Sequence, residues 1–495
     1  MSDSQTPYEA KDEAYFSYYS LLSHQAQMLQ DSVRTAAYQN AIIGNSDVCF
    51  KDKFVMDVGA GNGILSFFSA QAGAKKVYSI EASNMVDYLK KVVQASKAPV
   101  INGGIPRNAW LADRVVPVHS KMEDVTPDML EGHEKVDTIV SECLGVLLVH
   151  ERMCESFLDA RDRFLKPGGS VFPSAGTICL APVEDKTLWE ETASKARWWQ
   201  NQNFYGVDIT PFAEEAMKEA FSSPVVGCFG AHTLLTISSD YQVDFLTVSK
   251  EDLEEFTMPV EWEFSDAAII HCIGGWFDLS FIPNLLNLES KAAVEEGEAR
   301  NANPLSPPAS SEDATMQDVN NHVAQENQAS GSNLTLSSQA KDFAPSPLPP
   351  VPKSDPGKFQ DKTSLEITIE ALNDLANANP NLLSIDHNQQ HQQPSSSVNG
   401  GRPYYMTTSP YAAPTHWQQV RFLLDRPIAV NRGQKVVGTI HCKVNEFRSY
   451  DLEAELKVIR SDGREDELLK SRHEWRLDRQ IYSWTTAPPI TTTSC

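Results

Sequence analysis

The run Phe54-Val55-Met56-Asp57-Val58, followed by Gly59-Ala60-Gly61-Asn62-Gly63 and an apolar segment from Ile64, constrains the fold more than any other part of the chain. A short apolar strand that turns on three glycines straight into a helix brings backbone close to whatever binds at the helix N-terminus. The same rhythm continues downstream, with segments 53–58, 64–72, 76–81, 85–95, 115–119, 136–140 and 151–165 alternating between strand and helix patterns. Such alternation predicts βαβ units on a parallel sheet. Lys166-Pro167-Gly168-Gly169 is expected to stop the last of these helices.

Carboxylates follow the strands. Glu81 ends the second strand, eighteen residues past Gly63, where it can accept both hydroxyls of a ribose. Glu123 follows the strand at 115–119, where it could meet an adenine amino group. Glycine turn and ribose acid together predict a nucleoside cofactor. Ile64 stands where a dinucleotide fingerprint needs glycine, which favours S-adenosylmethionine over NAD.

Glu142 and Glu151 bracket an apolar loop, Cys143 to His150, beyond the strand at 136–140. Sheet ends of this kind are where ligands bind in α/β folds. Two carboxylates in an apolar setting repel one another unless a cation is shared between them, and a planar guanidinium offers paired donors in a fixed fork. Taken alone, the pair reads equally well as two surface glutamates on a loop and a helix start.

The bulk properties narrow the field. At 495 residues with 41% apolar content, the chain can hold two or three domains. A formal net charge of −24 argues against direct nucleic-acid binding and against an anionic membrane, and favours basic partners. The eight cysteines show no metal spacing, so they read as reduced thiols and no metal is expected; Cys143 and Cys154 read as core filler. The N-terminus carries no evident signal peptide, and no apolar run is long enough to span a membrane.

Segments 15–47 read as helical and, beyond Phe172, strand patterns at 176–181, 242–248 and 267–277 flank a Trp-rich helical stretch at 188–221. Residues 289–405 are rich in Ser, Asn, Gln, Pro and Ala, and cannot bury enough apolar surface to offset their ordering entropy. They are expected to be a disordered insert in one β domain, whose pattern returns at Tyr411 and continues through 429, 435–444 and 451–458. Closure entropy grows only logarithmically with length, so the fold tolerates such a loop. Within the insert, the Pro-rich run 345–352 could dock an SH3 or WW domain, and 363–376 could form a partner-binding helix; an inert spacer accounts for each more simply.

Five motifs in order identify a resemblance: Tyr15-Phe-Ser-Tyr-Tyr19, Asp31-Ser-Val-Arg34-Thr, Asp57 through Gly63, Ser141-Glu142 through Glu151-Arg-Met, and Thr415-His416-Trp417. Together they resemble the type I protein arginine N-methyltransferases, and most nearly the coactivator-associated histone-arginine branch. The likeness covers roughly 13–288 and 406–480. It implies a Rossmann-like domain binding S-adenosylmethionine (53–172) behind N-terminal helices (15–52). A β-barrel domain (173–288 and 406–480) follows, with a dimerisation arm at about 188–221, and the ends 1–14 and 481–495 lie outside the folded parts. The implied activity is mono- and asymmetric dimethylation of arginine in histone tails and RNA-associated proteins, by a homodimer working in nucleus and cytoplasm to regulate transcription.

The resemblance also implies roles. Glu142 and Glu151 would grip the substrate guanidinium, while Asp31 and His416 would carry away the released proton. Gln25, Arg34, Gly59, Gly61, Gly63, Glu81, Glu123 and Ser156 would hold the cofactor, with Arg34 on its carboxylate. Tyr15, Tyr19, Met28, Met153 and Trp417 would shape the substrate side. The glutamate loop departs from the usual Ser-Glu-Pro-Met-Gly-Tyr at Cys143, Leu144 and Val146; the loop at about 97–110 and the long insert match no recognised part of the family pattern, and with about fourteen residues ahead of Tyr15, recruitment through the pleckstrin-homology-like domain of that branch is not an expectation for this sequence. The competing readings are an inactive relative that acts by binding, a small-molecule methyltransferase, and a type II enzyme making symmetric dimethylarginine.

Overall fold

Strand β1 (Phe54–Val58) is the middle of a five-stranded parallel sheet ordered β3-β2-β1-β4-β5, with β2 at Lys76–Glu81, β3 at Val115–His119, β4 at Val136–Ser141 and β5 at Leu165–Phe172. This computed structural model describes residues 16–98, 108–284 and 401–483, all within one compact unit. β1 and β4 are buried almost throughout, as strands covered on both faces must be, hence their continuous apolar runs. The order reverses between β1 and β4, which opens a crevice at their C-terminal ends. Val58 pairs with Ser141, so Gly59 and Glu142 step off the sheet side by side.

The helices Ile64–Gln71 and Met85–Ala95 stand where alternation puts them. The helix expected over 151–165 runs instead from Cys154 to Phe164. Lys166-Pro167-Gly168-Gly169 is not a terminating loop: it lies inside β5, whose register to β4 shifts between Val136 and Thr138. Leu165 already pairs with Val136, so the chain enters the sheet directly from the helix.

The N-terminal helical stretch is broken at Asp31 into Leu22–Gln30 and Ser32–Gly44, followed by a π turn over Ser46–Phe50. Asp31 caps the second helix by accepting the Arg34 N–H at 2.9 Å.

The remainder forms a β-barrel-like region of two antiparallel sheets. The seven-stranded sheet runs β16-β7-β12-β10-β6-β8, with β11 also paired to β10. Its strands are β6 (Ala175–Val183), β7 (Val225–Val226), β8 (Ser239–Asp244), β10 (Ala268–Phe281), β11 (Tyr404–Thr407), β12 (Val420–Val430) and β16 (Ile481–Tyr482). The four-stranded sheet is β15-β14-β13-β9, from β9 (Glu255–Glu263), β13 (Lys435–Val444), β14 (Tyr450–Ile459) and β15 (Glu465–Arg476). Trp262 and Trp475 tie the sheets together by donating their indole N–H to Leu180 O (3.1 Å) and Leu423 O (2.9 Å). One continuous apolar core runs from Val55 and Ile139 through Phe172 to Phe277 and Val420.

The chain rejoins the fold earlier than its composition suggests. Strand β11 begins at Tyr404, and Tyr411 sits in an exposed turn. Phe281 pairs with Tyr404, so β10 and β11 form a hairpin around the long excursion. Its two roots are pinned close together: Asn284 bonds Gly169 O and Ser170 Oγ, while Arg402 exchanges two hydrogen bonds with Asn45 at the start of the π turn. Cys49 in that turn reaches Ser170 Oγ at 3.6 Å. Tyr15, the patches at 345–352 and 363–376, and most of the loop at 97–110 lie outside the described residues.

Between β6 and β7, helices Lys186–Arg197 and Ala213–Ser222 pack on the seven-stranded sheet through Ala193, Phe221 and the Trp189–Leu424 hydrogen bond, and the segment 198–212 joins them. It exposes Trp198 by 50%, Tyr205 by 93% and Phe212 by 57%, an apolar patch of the kind that marks an interaction surface. No helix among the described residues is long and apolar enough to cross a membrane.

Candidate active site

The glycine turn is shaped by what crowds it. Gly59, Gly61 and Gly63 all have positive φ (68°, 54° and 91°), and a Cβ on Gly59 would collide with Cε of Met153. The Glu81 carboxylate is fixed by two backbone N–H groups, Gly61 on Oε2 and Ser83 on Oε1, each at 2.7 Å. Gln25 reaches in from the N-terminal helix, its Oε1 accepting from Asn62 Nδ2 at 2.6 Å. Ser156 Oγ donates to Glu123 Oε1 at 2.6 Å, joining the turn after β3 to the Cys154–Phe164 helix. An open glycine turn with an oriented carboxylate on the next strand suits a nucleoside.

Beneath the turn lies a residue that the motif contains but to which the sequence reading gives no role. Asp57 is buried, and its Oδ2 accepts from Ser66 Oγ at 2.6 Å, which in turn lies 2.6 Å from Ser79 Oγ. This chain ties β1, β2 and the following helix together under the site. Burial pushes the Asp57 carboxyl up to about 7, against the pull of Ser66. Its signal was an ionisable residue in an otherwise apolar strand.

Both glutamates sit on one strained loop. Leu147, Leu148, Glu151 and Arg152 all have left-handed backbone (φ 56°, 72°, 77° and 58°), a conformation that L side chains adopt at a cost of roughly 1–3 kcal/mol each. Buried Leu147 and Leu148 anchor the loop from within, and Gly145 bridges to Leu148 with a 3.1 Å hydrogen bond. His150 Nδ1 meets Ser449 Oγ at 2.8 Å, and Arg152 forks onto Glu155 at 2.7 and 2.9 Å. Burial drives the His150 imidazole down to about 4, so it stands neutral there.

Each carboxylate has its own partner. Glu142 Oε2 accepts Nη2 and Nε of Arg34 at 2.6 and 3.1 Å, while Oε1 accepts Leu144 N–H. Arg34 also donates Nη1–H to Met28 O, and Met28 itself is buried. Glu151 Oε2 accepts the Tyr19 hydroxyl at 2.7 Å. Behind the loop, the Sγ atoms of Cys143 and Cys154 lie 3.8 Å apart, both thiols free and buried, and burial raises the Cys143 thiol well above its ordinary value.

The 415–417 loop closes the arrangement from the β-barrel-like side. His416 puts both Nδ1 and its backbone N–H on Asp31 Oδ2 at 2.8 Å. Burial alone would raise the Asp31 carboxyl, but hydrogen bonds from the His416 ring and from the backbone of Arg34 and His416 hold it below the usual range. Trp417 is buried and donates to Leu144 O at 2.9 Å, supporting the glutamate loop from behind. Among the described residues no His, Cys, Asp or Glu cluster could hold a metal ion.

The sequence pattern of the arginine methyltransferase oligomerization subdomain matches residues 174–293 and 396–460. The chain is 43% identical over 268 residues to the protein named probable histone-arginine methyltransferase 1.3 of Arabidopsis thaliana, covering 54% of this chain and 46% of that one. It is 41% identical over 278 residues to histone-arginine methyltransferase CARMER of Drosophila ananassae, covering 56% and 49%. These matches span about half the length of the curated relatives. The fold is that of Arabidopsis thaliana protein arginine methyltransferase 10 (TM-score 0.60, 23% identity, 94% of this chain and 100% of that one). It is also that of the Trypanosoma brucei PRMT1 enzyme-prozyme heterotetrameric complex with AdoHcy (TM-score 0.57, 22% identity, 93% and 99%).

Proposed function

We infer that this chain, a relative of the histone-arginine methyltransferases, is an S-adenosylmethionine-dependent protein arginine N-methyltransferase acting on histones and other arginine-rich proteins. The observation that carries the reading is one rigid loop presenting Glu142 and Glu151 beside the glycine turn, with each carboxylate oriented by a different N-terminal residue.

S-adenosylmethionine is the cofactor of this reading, and when bound it supplies an electrophilic methyl group on a sulfonium. Gly59, Gly61, Gly63, Glu81 and Gln25 would hold its nucleoside from one side, Glu123 and Ser156 from the other. Arg34, already forked onto Glu142, has the charge to meet its carboxylate as well.

The protein's task is alignment. Free arginine has a pKa above about 12, so its neutral form is scarce. Glu142 and Glu151 hold the guanidinium by two nitrogens and draw positive charge towards them, which leaves the third nitrogen with a more available lone pair. Met28 and Met153 border that nitrogen's approach. His416, whose Nδ1 is on Asp31, keeps Nε2 to take the released proton. The products of this reading are mono- and asymmetric dimethylarginine, and its setting is transcription in the nucleus, with some cytoplasmic presence.

The arm and the oligomerization-subdomain match support a homodimer in which Trp198, Trp199, Phe204 and Tyr205 are covered. The acidic net charge suits basic tails. Incubation with labelled methyl donor and mixed histones tests the reading: wild type should label arginine and Glu151→Gln should not. Cofactor binding without label in wild type would instead make the chain a binding protein. Fragment mass spectrometry separates asymmetric from symmetric product.

A further inference from the structure

His24 lies four residues before Met28 on the same face of the Leu22–Gln30 helix. Its ring packs against Tyr18 at 4.1 Å and edge-on against Tyr19 at 4.9 Å, while the two tyrosines meet edge-on at 5.6 Å. The three rings form a closed cluster, and Tyr19 carries the hydroxyl that donates to Glu151. Neither His24 nitrogen has a hydrogen-bond partner of good geometry among the described residues, and both are shut off from solvent. A polar ring with no partner is an awkward filler in a place that phenylalanine could occupy.

We propose that His24 is a positioning residue: as a neutral imidazole it wedges Tyr18 and Tyr19 and keeps the Tyr19 phenol on Glu151, and as an imidazolium it gives up that place. The consequence for substrate rests on Glu151 belonging to the guanidinium clamp; the wedge itself does not. Apart from the Gln27 amide, no facing group favours the charged form of His24. Tyr18 and Tyr19 flank it, His416 lies close with its partner Asp31 already engaged, and Glu151 behind Tyr19 holds the phenol. Tyr482 approaches Glu151 and Tyr18 from the C-terminal side and brings no positive or negative charge near neutrality. Burial, followed by the neighbouring His416, disfavours protonation of His24, and the Gln27 amide pulls more weakly the other way.

The sign follows. Because the wedged form lowers the His24 pKa, the closed arrangement is favoured above the ordinary histidine value of about 6.5 and is lost progressively as pH falls below it. Protonation would release the 16–19 segment, free Glu151 to swing, and weaken the grip on arginine.

Hydrogen–deuterium exchange of residues 16–30 in the full chain, corrected for intrinsic rates, tests this in wild type, His24→Phe and His24→Gln. Wild type should lose protection progressively between about pH 7.5 and 5.5, across the ordinary histidine range, and both variants should stay flat. kcat/KM for an arginine-bearing histone-tail peptide should fall over the same interval in wild type alone. His24→Gln gives the same reading should the phenylalanine variant not fold. A flat wild-type profile, or the same fall in wild type and both variants, would overturn the proposal. Should the exchange behave as expected in a chain that transfers no methyl group, the wedge stands and the methyltransferase reading falls.

Discussion

Arg34 places its guanidinium 2.6 Å from the carboxylate of Glu142, so half of the cation site is already answered by an arginine of the chain itself. Both side chains are about nine-tenths buried. Glu151 accepts the Tyr19 phenol on its Oε2. The two glutamates are therefore unequal, which neither their spacing nor their chemistry discloses.

That inequality has a measurable outcome. Glu142→Gln should destabilise the fold by about 3–5 kcal/mol, because it leaves Arg34 buried without its counter-charge. Glu151→Gln keeps an oxygen to accept the Tyr19 hydroxyl, so it should cost less stability than Glu142→Gln. Both should lose methyl transfer by roughly a thousandfold or more if the clamp supplies about 4 kcal/mol of transition-state stabilisation. Urea unfolding beside single-turnover kinetics would separate the two effects; equal stability losses would contradict the pairing.

His150 makes stability depend on pH in a set direction. Its pKa is lowered to about 4 when folded, chiefly by burial, against about 6.5 unfolded. The unfolded chain therefore binds the proton first. The contribution is fully present above about pH 6.5 and is lost as pH falls towards 4, on the order of 3 kcal/mol in all. Chemical denaturation between those values should show the slope in wild type and its absence in His150→Asn.

Gly145 offers a steric test of the strained loop. A Cβ there would overlap the carbonyl of His150, backbone that cannot swing aside without moving Glu151. Gly145→Ala should cost roughly 2–3 kcal/mol in melting experiments and at least a hundredfold in kcat. Wild-type kinetics in a folded Gly145→Ala chain would show that the loop geometry is not needed.

The arm can be probed without touching the site. Trp198→Ala combined with Tyr205→Glu removes apolar area from an exposed patch and should shift the chain to monomer in light scattering. Such changes in the patch should leave the folding stability of each protomer within about 0.5 kcal/mol. An unchanged mass would move the oligomer contact elsewhere.

Most of the parallel sheet was legible because buried strands and glycine turns leave local patterns, and the positions of β1 to β4 hold to within a residue. The glutamate loop was legible as residues but not as geometry: left-handed backbone at Leu147, Leu148, Glu151 and Arg152 has no glycine signature to announce it. Strand β9 alternates exposed and buried residues from Glu255 to Glu263 and was open to reading, but Pro259 and its charged face masked it. β5 was misread because Pro167-Gly168-Gly169 speaks for a turn, whereas pairing with β4 decided otherwise. Asp57–Ser66 and His150–Ser449 depend on contacts that no window of sequence contains.

The pairing of Phe281 with Tyr404 makes the long excursion the bend of an ordinary hairpin, let out to great length. Both hems are stitched to the same patch around Asn45, Gly169 and Ser170. Doubling such a bend adds only about 0.6 kcal/mol of closure entropy. Closure entropy therefore leaves the length of that segment nearly free, while Phe281 and Tyr404 fix where the chain must leave the sheet and return to it.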